Sequence, residues 1–383
     1  MDRIDYLDGW RGLAIGMVLV AHFTPVPQMD FGRFGVDLFF VLSGLLMARI
    51  LFEKRTPIPE FYRRRISRIL PGFVAFLTIV LGAEALRGVK VTASEVLSLA
   101  TFTRTYIGEF MWSDPLPVAQ IWSLNVEEHC YLVLSLVAAI AMLFKRAALV
   151  LLALALATFP AIVIYHHLST DPSSAYMLRT ECAATCLMLS ASYRLMPKRS
   201  APGWMVPAAL VIAVGCYAMD LHPSPKRLFA PFLLAFAINH LEGAPAWLLA
   251  TLRLAWLRWL GVVSYSVYLW QQPFHDAGLN PVIALAGALA AGSASFYLLE
   301  RPAREWLNTH WRSARAAATP GGPTSSSRLD PHGSGSLRPA ACRRVARIGR
   351  PRARIERRGA RPLSERQLRR PRRRRHLPRP VRR

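Results

Sequence analysis

A few ionisable side chains stand inside long apolar segments of this chain, and their types are those used in acid–base and anion-binding chemistry. Arg11 and His22 lie eleven residues apart in the first apolar segment. On a helix they share nearly one face and are separated by about 16 Å in depth. Histidine titrates close to neutral pH, so His22 is the candidate general base. The alternative is that His22 has only a structural role.

Two adjacent carboxylates, Glu127 and Glu128, enter the fourth apolar segment. Burying an unpaired carboxylate costs free energy, so we expect one of them to be protonated or to pair with a base. The two side chains differ by about 100° around a helix, so only one can point directly at a given partner. The alternative is an interfacial pair that reaches water.

Arg65 and Arg68 precede the third apolar segment and are three residues apart, so they can present one cationic face. Guanidinium groups bind phosphate through two parallel hydrogen bonds, which makes the pair a candidate site for a phosphorylated ligand. The alternative is that these arginines only orient the neighbouring helix in the membrane. We predict no metal site, because His129 after the glutamates lacks the second histidine of the His-Glu-x-x-His motif.

The elements that must position these groups are membrane helices. The 383 residues are 53% hydrophobic and 19% charged, whereas soluble domains are about 25% charged. Lipid-exposed backbone must satisfy its own hydrogen bonds, so the predicted fold class is all-α, a polytopic membrane protein with about ten transmembrane helices. A helical protein with a large buried core is the alternative. The predicted spans are 10–26, 34–52, 68–87, 121–144, 147–167, 176–195, 203–219, 226–242, 256–273 and 279–299.

The basic residues between the spans predict the orientation. With the N-terminus in the cytoplasm, most arginines and lysines fall in the inner connections, as the positive-inside rule requires. Ten spans then return the C-terminus to the cytoplasm. No small-x-small cleavage site follows the first apolar segment, so we do not predict a signal peptide.

The C-terminal region has a different composition from the membrane domain, which we place at residues 1–310. From Arg312 onward it contains 23 arginines and three acidic residues, which give +20 of the net charge of +25. Residues 311–383 are therefore predicted to be a disordered Arg/Pro-rich tail. Binding to anionic lipids, binding to RNA and an artefactual translation of a GC-rich gene all stay open, and we predict no specific nucleic-acid partner.

Five blocks of polar and glycine residues follow one another along the apolar chain. They are Tyr6-Leu7-Asp8-Gly9-Trp10-Arg11-Gly12 with His22, the segment from Gly35 to Gly44, Arg64-Arg65-Ile66-Ser67-Arg68 with Pro71, Trp122-Ser123-Leu124 with Glu127-Glu128, and the segment from Ser264 to Pro273 with Glu300-Arg301-Pro302.

Over roughly Ile4 to Leu307, the content and order of these blocks resemble the acyltransferase-3 family, membrane acyltransferases that O-acetylate bacterial surface sugars. Two departures stand out: Gln271 replaces a common histidine, and His129-Cys130 replaces a common Gln-Phe.

The resemblance implies a ten-helix enzyme of the bacterial cytoplasmic (inner) membrane, with both termini cytoplasmic. It would move an acyl group, usually acetyl, from a coenzyme A thioester to a hydroxyl of a cell-envelope glycan or a lipid-linked sugar. Acetyl-CoA or another acyl-CoA is then a co-substrate, with no bound cofactor, and membrane lipids are further partners. The family's motif residues correspond here to His22, Glu127 and Glu128 as catalytic groups and to Arg11, Arg65 and Arg68 as acyl-CoA-binding groups.

The expected mechanism is base-assisted acyl transfer. His22 takes the proton of the acceptor hydroxyl, and Glu127 or Glu128 holds its imidazole in the useful tautomer, as in a catalytic triad. The developing oxyanion needs hydrogen-bond donors. The rival class is a transporter or flippase of a lipid-linked sugar or acyl group, in which the same charges line a pathway. Candidate oxyanion donors are Ser43, Ser123 and Asn125.

Overall fold

The computed structural model describes six stretches of the chain. All regular secondary structure assigned in these stretches is helical, which confirms the all-α prediction. The described stretches are residues 4–24, 29–107, 116–168, 175–197, 200–218 and 228–318.

The α-helices follow the apolar segments, with short helices in the connections. They are α1 (Asp5–Phe23), α2 (Phe31–Ala48), α3 (Ile58–Leu86), α4 (Ala93–Ala100), α5 (Ile121–Ala139), α6 (Ala141–Lys145), α7 (Ala147–Leu168), α8 (Thr180–Ala183), α9 (Thr185–Leu195), α10 (Met205–Ala218), α11 (Ala230–Asn239), α12 (Ala246–Leu252), α13 (Ala255–Asp276), α14 (Pro281–Ser295) and α15 (Arg301–Ala318).

Each predicted span overlaps at least one helix, although not every one is a single straight helix, and residues 25–26, 219 and 226–227 of the spans lie outside the described residues. The span at 176–195 is divided between α8, α9 and a short 3₁₀ turn. Helix α14 continues through a π-helical turn, Phe296–Glu300, into α15. Within the described stretches, four helices are long and apolar enough to cross a bilayer, and α12 with α13, bent by 55°, makes a fifth. The chain is therefore a multi-pass membrane protein, and the count of ten stays a prediction. The four are Phe31–Glu53, Ile58–Leu86, Ala147–Leu168 and Pro281–Trp311.

Helices α1 and α13 run side by side in the same direction. Arg258 donates to Asp5 over 2.6 Å near the start of both helices, and His22 meets Gln271 near their ends. Helix α2 runs antiparallel to α1, because the Trp10 indole near the start of α1 bonds to a carbonyl in the middle of α2 and the start of α2 lies against the end of α1. These directions agree with the predicted alternation of spans.

Two glycines allow α1 and α13 to approach closely. A Cβ on Gly12 would overlap the backbone of Leu257, and a Cβ on Gly261 would overlap the backbone of Asp8. Small residues at helix crossings in membranes let backbones approach and gain packing contacts. This crossing sets the positions of Arg11 and His22 relative to the polar side chains of α13.

Buried polar contacts fasten α2 to the other side of the bundle. The Ser190 hydroxyl on α9 donates to the Val41 carbonyl over 2.6 Å. On α10, Tyr217 donates to Asp37 Oδ2 over 2.6 Å, and the Arg33 Nε donates to the same oxygen over 3.1 Å. A buried carboxylate is tolerated when it is paired and hydrogen-bonded in this way.

The predicted tail begins within a helix. Helix α15 continues to Ala318, past the boundary placed after residue 310. Residues 319–383, which make up most of the predicted tail, lie outside the described residues, so its disorder stays a prediction.

Candidate active site

A cavity of about 120 Å³ opens between α1, α2, α3, α5 and α13. Its wall is mostly apolar, with charged and hydroxyl groups at defined points. Pockets of this kind, with a few convergent polar groups, are the usual sites of ligand binding. The polar lining residues are Arg11, Ser43, Arg65, Arg68, Ser123, Glu127, Tyr131, Ser264, Tyr265 and Tyr268.

Arg65 is held from three sides. Its Nη2 lies 3.1 Å from Glu128 Oε1 and 3.8 Å from Glu127 Oε2. Its guanidinium carbon lies 3.6 Å from the centroid of the Tyr131 ring. Two carboxylates and an aromatic face compensate a partly buried cation and hold its orientation. The structure thus brings Arg65, Glu127 and Glu128 together, although the sequence assigned them separate roles.

Glu127 has a full set of partners at this end of the cavity. The Ser43 hydroxyl donates to Oε1 over 2.9 Å, and the Tyr131 hydroxyl donates to Oε2 over 2.8 Å. With Arg65 alongside, the carboxylate is satisfied by groups on α2, α3 and α5.

Arg68 is a cation of the cavity wall without a direct ion pair among the described residues. Arg11 is paired with Asp8 at 2.9 Å, but Arg68 forms no ion pair or side-chain hydrogen bond with the described residues, and its side chain is exposed. Arg11, Arg65 and Arg304 are nearby like charges, and Glu300 is a nearby opposite charge. The arginines around Arg68 outnumber the nearby carboxylate of Glu300, which makes this end of the cavity suited to a polyanionic ligand.

His22 lies in the last turn of α1, at the other end of the site. Its Nδ1 is hydrogen-bonded to Gln271 Oε1. An amide oxygen only accepts, so Nδ1 carries the proton and Nε2 keeps a free lone pair in the neutral ring. The His275 ring stacks on His22 with centroids 4.6 Å apart, and its Nδ1 donates to the His22 carbonyl over 2.9 Å.

The predicted pairing of His22 with a glutamate is not what the structure shows. In the described part of the chain, His22 is bound by Gln271, while Glu127 and Glu128 are bound on the Arg65 side. The physical reason is the helix geometry: α1 places Arg11 and His22 about 16 Å apart along its axis, and the glutamates are at the Arg11 level.

Sequence reasoning missed the part played by Gln271, which it registered only as a departure from the family pattern. Gln271 and His275 are four residues apart, so they share a face of α13. That spacing was a usable signal, but the parallel packing of α13 on α1 was not visible in the sequence.

Tyr268 connects the two ends. It lines the cavity and lies three residues before Gln271, which is about 4.5 Å along a helix. Its hydroxyl is 2.7 Å from Ser123 Oγ. His22 and Gln271 do not line the cavity, whose wall on α13 reaches Tyr268, about one helical turn before Gln271.

The candidate oxyanion donors are distributed unevenly. Ser43 and Ser123 line the cavity. Asn125 is fully buried, and its amide nitrogen and oxygen have no hydrogen-bond partner within the described stretches.

Across those same stretches, no group of three histidine, cysteine, aspartate or glutamate side chains is arranged to hold a metal ion.

Residues 4–285 match the family described as acyltransferase domain, which is about three quarters of the chain. The chain belongs to the acyltransferase-3 family. The residues that line the cavity, both glutamates and His22 all fall within the matched region. The end of α14, the π-helical turn and α15 follow it.

Several curated proteins are similar to this chain over most of its length. The peptidoglycan O-acetyltransferase OatA of Listeria monocytogenes is 24% identical over 347 residues, which are 78% of this chain and 55% of that protein. A Komagataeibacter xylinus protein, BcsY, named provisionally as a membrane-bound transacylase, is 26% identical over 334 residues, 79% of this chain and 83% of that protein.

A shorter match is the O-acetyltransferase OatA of Staphylococcus aureus strain NCTC 8325, 26% identical over 187 residues, 44% of this chain and 31% of that protein. The chain spans about half the length of the peptidoglycan-modifying relatives that it matches over most of its own length. No solved structure matches it significantly.

Proposed function

We propose that this protein is a membrane O-acyltransferase that moves an acyl group, acetyl by default, from an acyl-CoA to a hydroxyl of a cell-envelope glycan or related acceptor. The observation that carries the proposal is the cavity itself, with Arg68 at one end and, at the other, Tyr268, which precedes the hydrogen-bond partner of His22 by about one helical turn. Membership of the acyltransferase-3 family supports the reaction class.

The arginine end is the proposed binding site of the acyl donor. Coenzyme A carries phosphates on its nucleotide portion, and guanidinium groups bind phosphate with charge-assisted hydrogen bonds. Arg68 supplies an available cation, and Arg65 supplies one whose direction is set by Tyr131. The pantetheine arm would follow the apolar wall of the cavity toward Tyr268 and bring the thioester near His22.

The proposed chemistry uses the free Nε2 of His22 as a general base. As Nε2 takes the proton of the acceptor hydroxyl, the oxygen attacks the thioester carbonyl and a C–O bond forms. The tetrahedral intermediate then breaks its C–S bond, and the imidazolium returns the proton to the departing thiolate. Ester and free coenzyme A are the products, and the histidine ends in its starting state.

Glu127 and Glu128 have a different role from the one that a triad would give them. We infer that they fix Arg65, because Glu128 accepts from it and Glu127 joins it to Ser43 and Tyr131. Loss of either carboxylate would remove part of the negative charge that compensates a partly buried arginine.

The membrane arrangement follows from the same sites. We propose ten spans in the bacterial cytoplasmic membrane, with both termini in the cytoplasm, so that the arginine end faces the cytoplasmic supply of acyl-CoA. The acceptor then approaches His22 from the opposite face. The relatives named for peptidoglycan support a glycan acceptor.

The test uses inside-out membrane vesicles from a bacterial host that expresses the full chain. Radiolabelled acetyl-CoA is added, and alkali-labile label is measured in the envelope glycan fraction, together with release of the coenzyme A thiol. We expect His22→Ala to lower the rate about a thousandfold, since general-base catalysis contributes roughly 10²–10⁴. The matched control is His310→Ala, which changes an exposed histidine on α15.

Full acetylation by His22→Ala would refute the assignment of the base. A chain that never labels glycan, but whose deletion stops export of a lipid-linked sugar, would instead support the transporter alternative.

A further inference from the structure

The side chain that orients His22 is itself part of a longer hydrogen-bonded series. Gln271 accepts from the imidazole at Oε1 and donates from Nε2 to Gln272 Oε1 over 3.4 Å. Gln272 in turn donates from Nε2 to both carboxylate oxygens of Asp276, over 3.0 and 3.1 Å. The two glutamines, here called the amide chain, therefore join the imidazole to a carboxylate.

The amide chain has a single direction. Each glutamine accepts on its oxygen and donates from its nitrogen, so the donors run from His22 through Gln271 and Gln272 to Asp276. A carboxylate that accepts from an amide N–H shifts electron density toward the amide oxygen and makes that oxygen a stronger acceptor. Hydrogen bonds in such series polarise one another in a low-dielectric interior.

We propose that Asp276 is a positioning residue for the base, acting on His22 through the amide chain. This inference rests on the proposed function, in which His22 takes the acceptor's proton. The arrangement gives the imidazole the orientation that a carboxylate partner provides in a triad, while the charge itself stays in an exposed position. Gln271 and Gln272 are buried and Asp276 is exposed, so no ionised carboxylate is buried beside the base.

The place of Asp276 in the helix supports this role. It is the last residue of α13, where the negative end of the helix dipole disfavours an anion. Its only side-chain hydrogen bonds within the described stretches come from Gln272, and it forms no ion pair there. Helix stability therefore does not account for an acidic residue at this position.

His275 does not compete for the same role. Among the described residues, the titratable groups that act on His22 are His275 and Asp276. Its Nδ1–H is already donated to the His22 backbone carbonyl. The stacked ring packs against the imidazole face and leaves the in-plane Nδ1–H of His22 to Gln271.

The experiment compares Asp276→Asn, Asp276→Glu and the wild type in proteoliposomes that contain the full chain. The probes are acetyl-CoA and an N-acetylglucosamine oligosaccharide, with release of the coenzyme A thiol as the rate signal. Asn keeps an acceptor oxygen for Gln272 but removes the charge. We expect kcat to fall about fivefold, since a hydrogen bond to a charged group is worth roughly 1 kcal/mol more than one to a neutral group.

Two features separate this effect from a structural one. The KM for acetyl-CoA should stay at the wild-type value for Asp276→Asn, and Asp276→Glu should recover most of kcat. The control Glu242→Gln, which removes an exposed carboxylate after α11, should leave both constants unchanged.

A second variant tests the connection itself. Gln272→Met removes both hydrogen-bonding atoms while it retains similar bulk, so it should lower kcat like Asp276→Asn. Placed in the Gln272→Met background, Asp276→Asn should have no further effect, because the path is already broken.

Three results would each overturn the proposal. They are a wild-type kcat in Asp276→Asn, additive losses of kcat in the double variant, and a change confined to KM. The His22→Ala variant distinguishes a failure of the amide-chain proposal from a failure of the proposed function. If it is inactive while Asp276→Asn is normal, the amide chain is refuted and the base stands. If it is active, the proposed function itself fails.

Discussion

The two ends of the site differ in how they treat charge. The arginine end, formed by Arg11, Arg65 and Arg68, is rich in full charges. It has ion pairs of 2.9 and 3.1 Å, and Arg68 has no direct ion pair among the described residues. The histidine end, formed by His22, Gln271 and His275, makes its direct contacts through a neutral amide, a backbone carbonyl and a stacked ring.

The difference matches two chemical tasks. Binding a polyanion requires charges that do not titrate, and guanidinium groups stay protonated under all relevant conditions. Proton transfer requires a group that changes its own charge during the reaction. A full charge in direct contact would stabilise one of its two states, whereas a neutral amide orients the ring and leaves both accessible.

The largest effect expected at the arginine end comes from Arg68→Ala. Loss of charge-assisted contacts to phosphate should raise the KM for acetyl-CoA about ten- to a hundredfold and leave kcat nearly unchanged. The measurement is initial-rate kinetics with acetyl-CoA in proteoliposomes, at low and high salt.

Arg68→Lys should recover part of the affinity, because it restores the charge without the bidentate geometry. Arg64→Ala is the matched control, since Arg64 is exposed and paired with Glu60 on the same helix. A loss of kcat at constant KM in Arg68→Ala would contradict the division between the two ends.

A smaller effect is expected for Glu127→Gln. The substitution removes one charge beside Arg65 while it keeps acceptor capacity for Ser43 or Tyr131. We expect a change of about fivefold in the KM for acetyl-CoA, with kcat within about twofold of the wild type. The same kinetic assay measures both constants.

If Glu127→Gln instead lowers kcat as much as His22→Ala does, the triad interpretation drawn from the sequence is right, and the contacts seen here are not those of the reacting enzyme.

The smallest effect concerns α4, which lies outside both ends and between the third and fourth predicted spans. Thr92 Oγ1 accepts from the Glu95 N–H over 3.3 Å, and Glu95 Oε2 accepts from the Thr92 N–H over 2.7 Å. The hydrogen bond from the Thr92 backbone holds the pKa of Glu95 below its usual value. The stabilisation is therefore present at neutral pH and is lost as the pH falls through that lowered pKa.

Thr92→Ala should lower the free energy of unfolding by about 1 kcal/mol and leave kcat and KM unchanged. Thermal unfolding in detergent, at neutral pH and below the usual pKa of glutamate, measures the change and its pH dependence. An altered kcat would show that α4 contributes to catalysis together with the arginine end and the histidine end.

The helices were largely predictable, because long apolar segments can satisfy their backbone in lipid only as helices. The break in the span at 176–195 was not, because average hydropathy does not register where a helix is interrupted. The sequence also indicated which arginines form the arginine end, since Arg11, Arg65 and Arg68 line one cavity.

Residue types and their spacing along each helix were decided by the sequence alone. They include an arginine near the start of α1 and a histidine near its end, and two carboxylates about two turns into α5. The partners of these groups were decided only by tertiary structure. His22 and Gln271 are 249 positions apart, and their contact depends on α13 packing parallel to α1 at two glycines. Periodicity within a helix constrains which side chains share a face, but it contains no information about which other helix lies against that face.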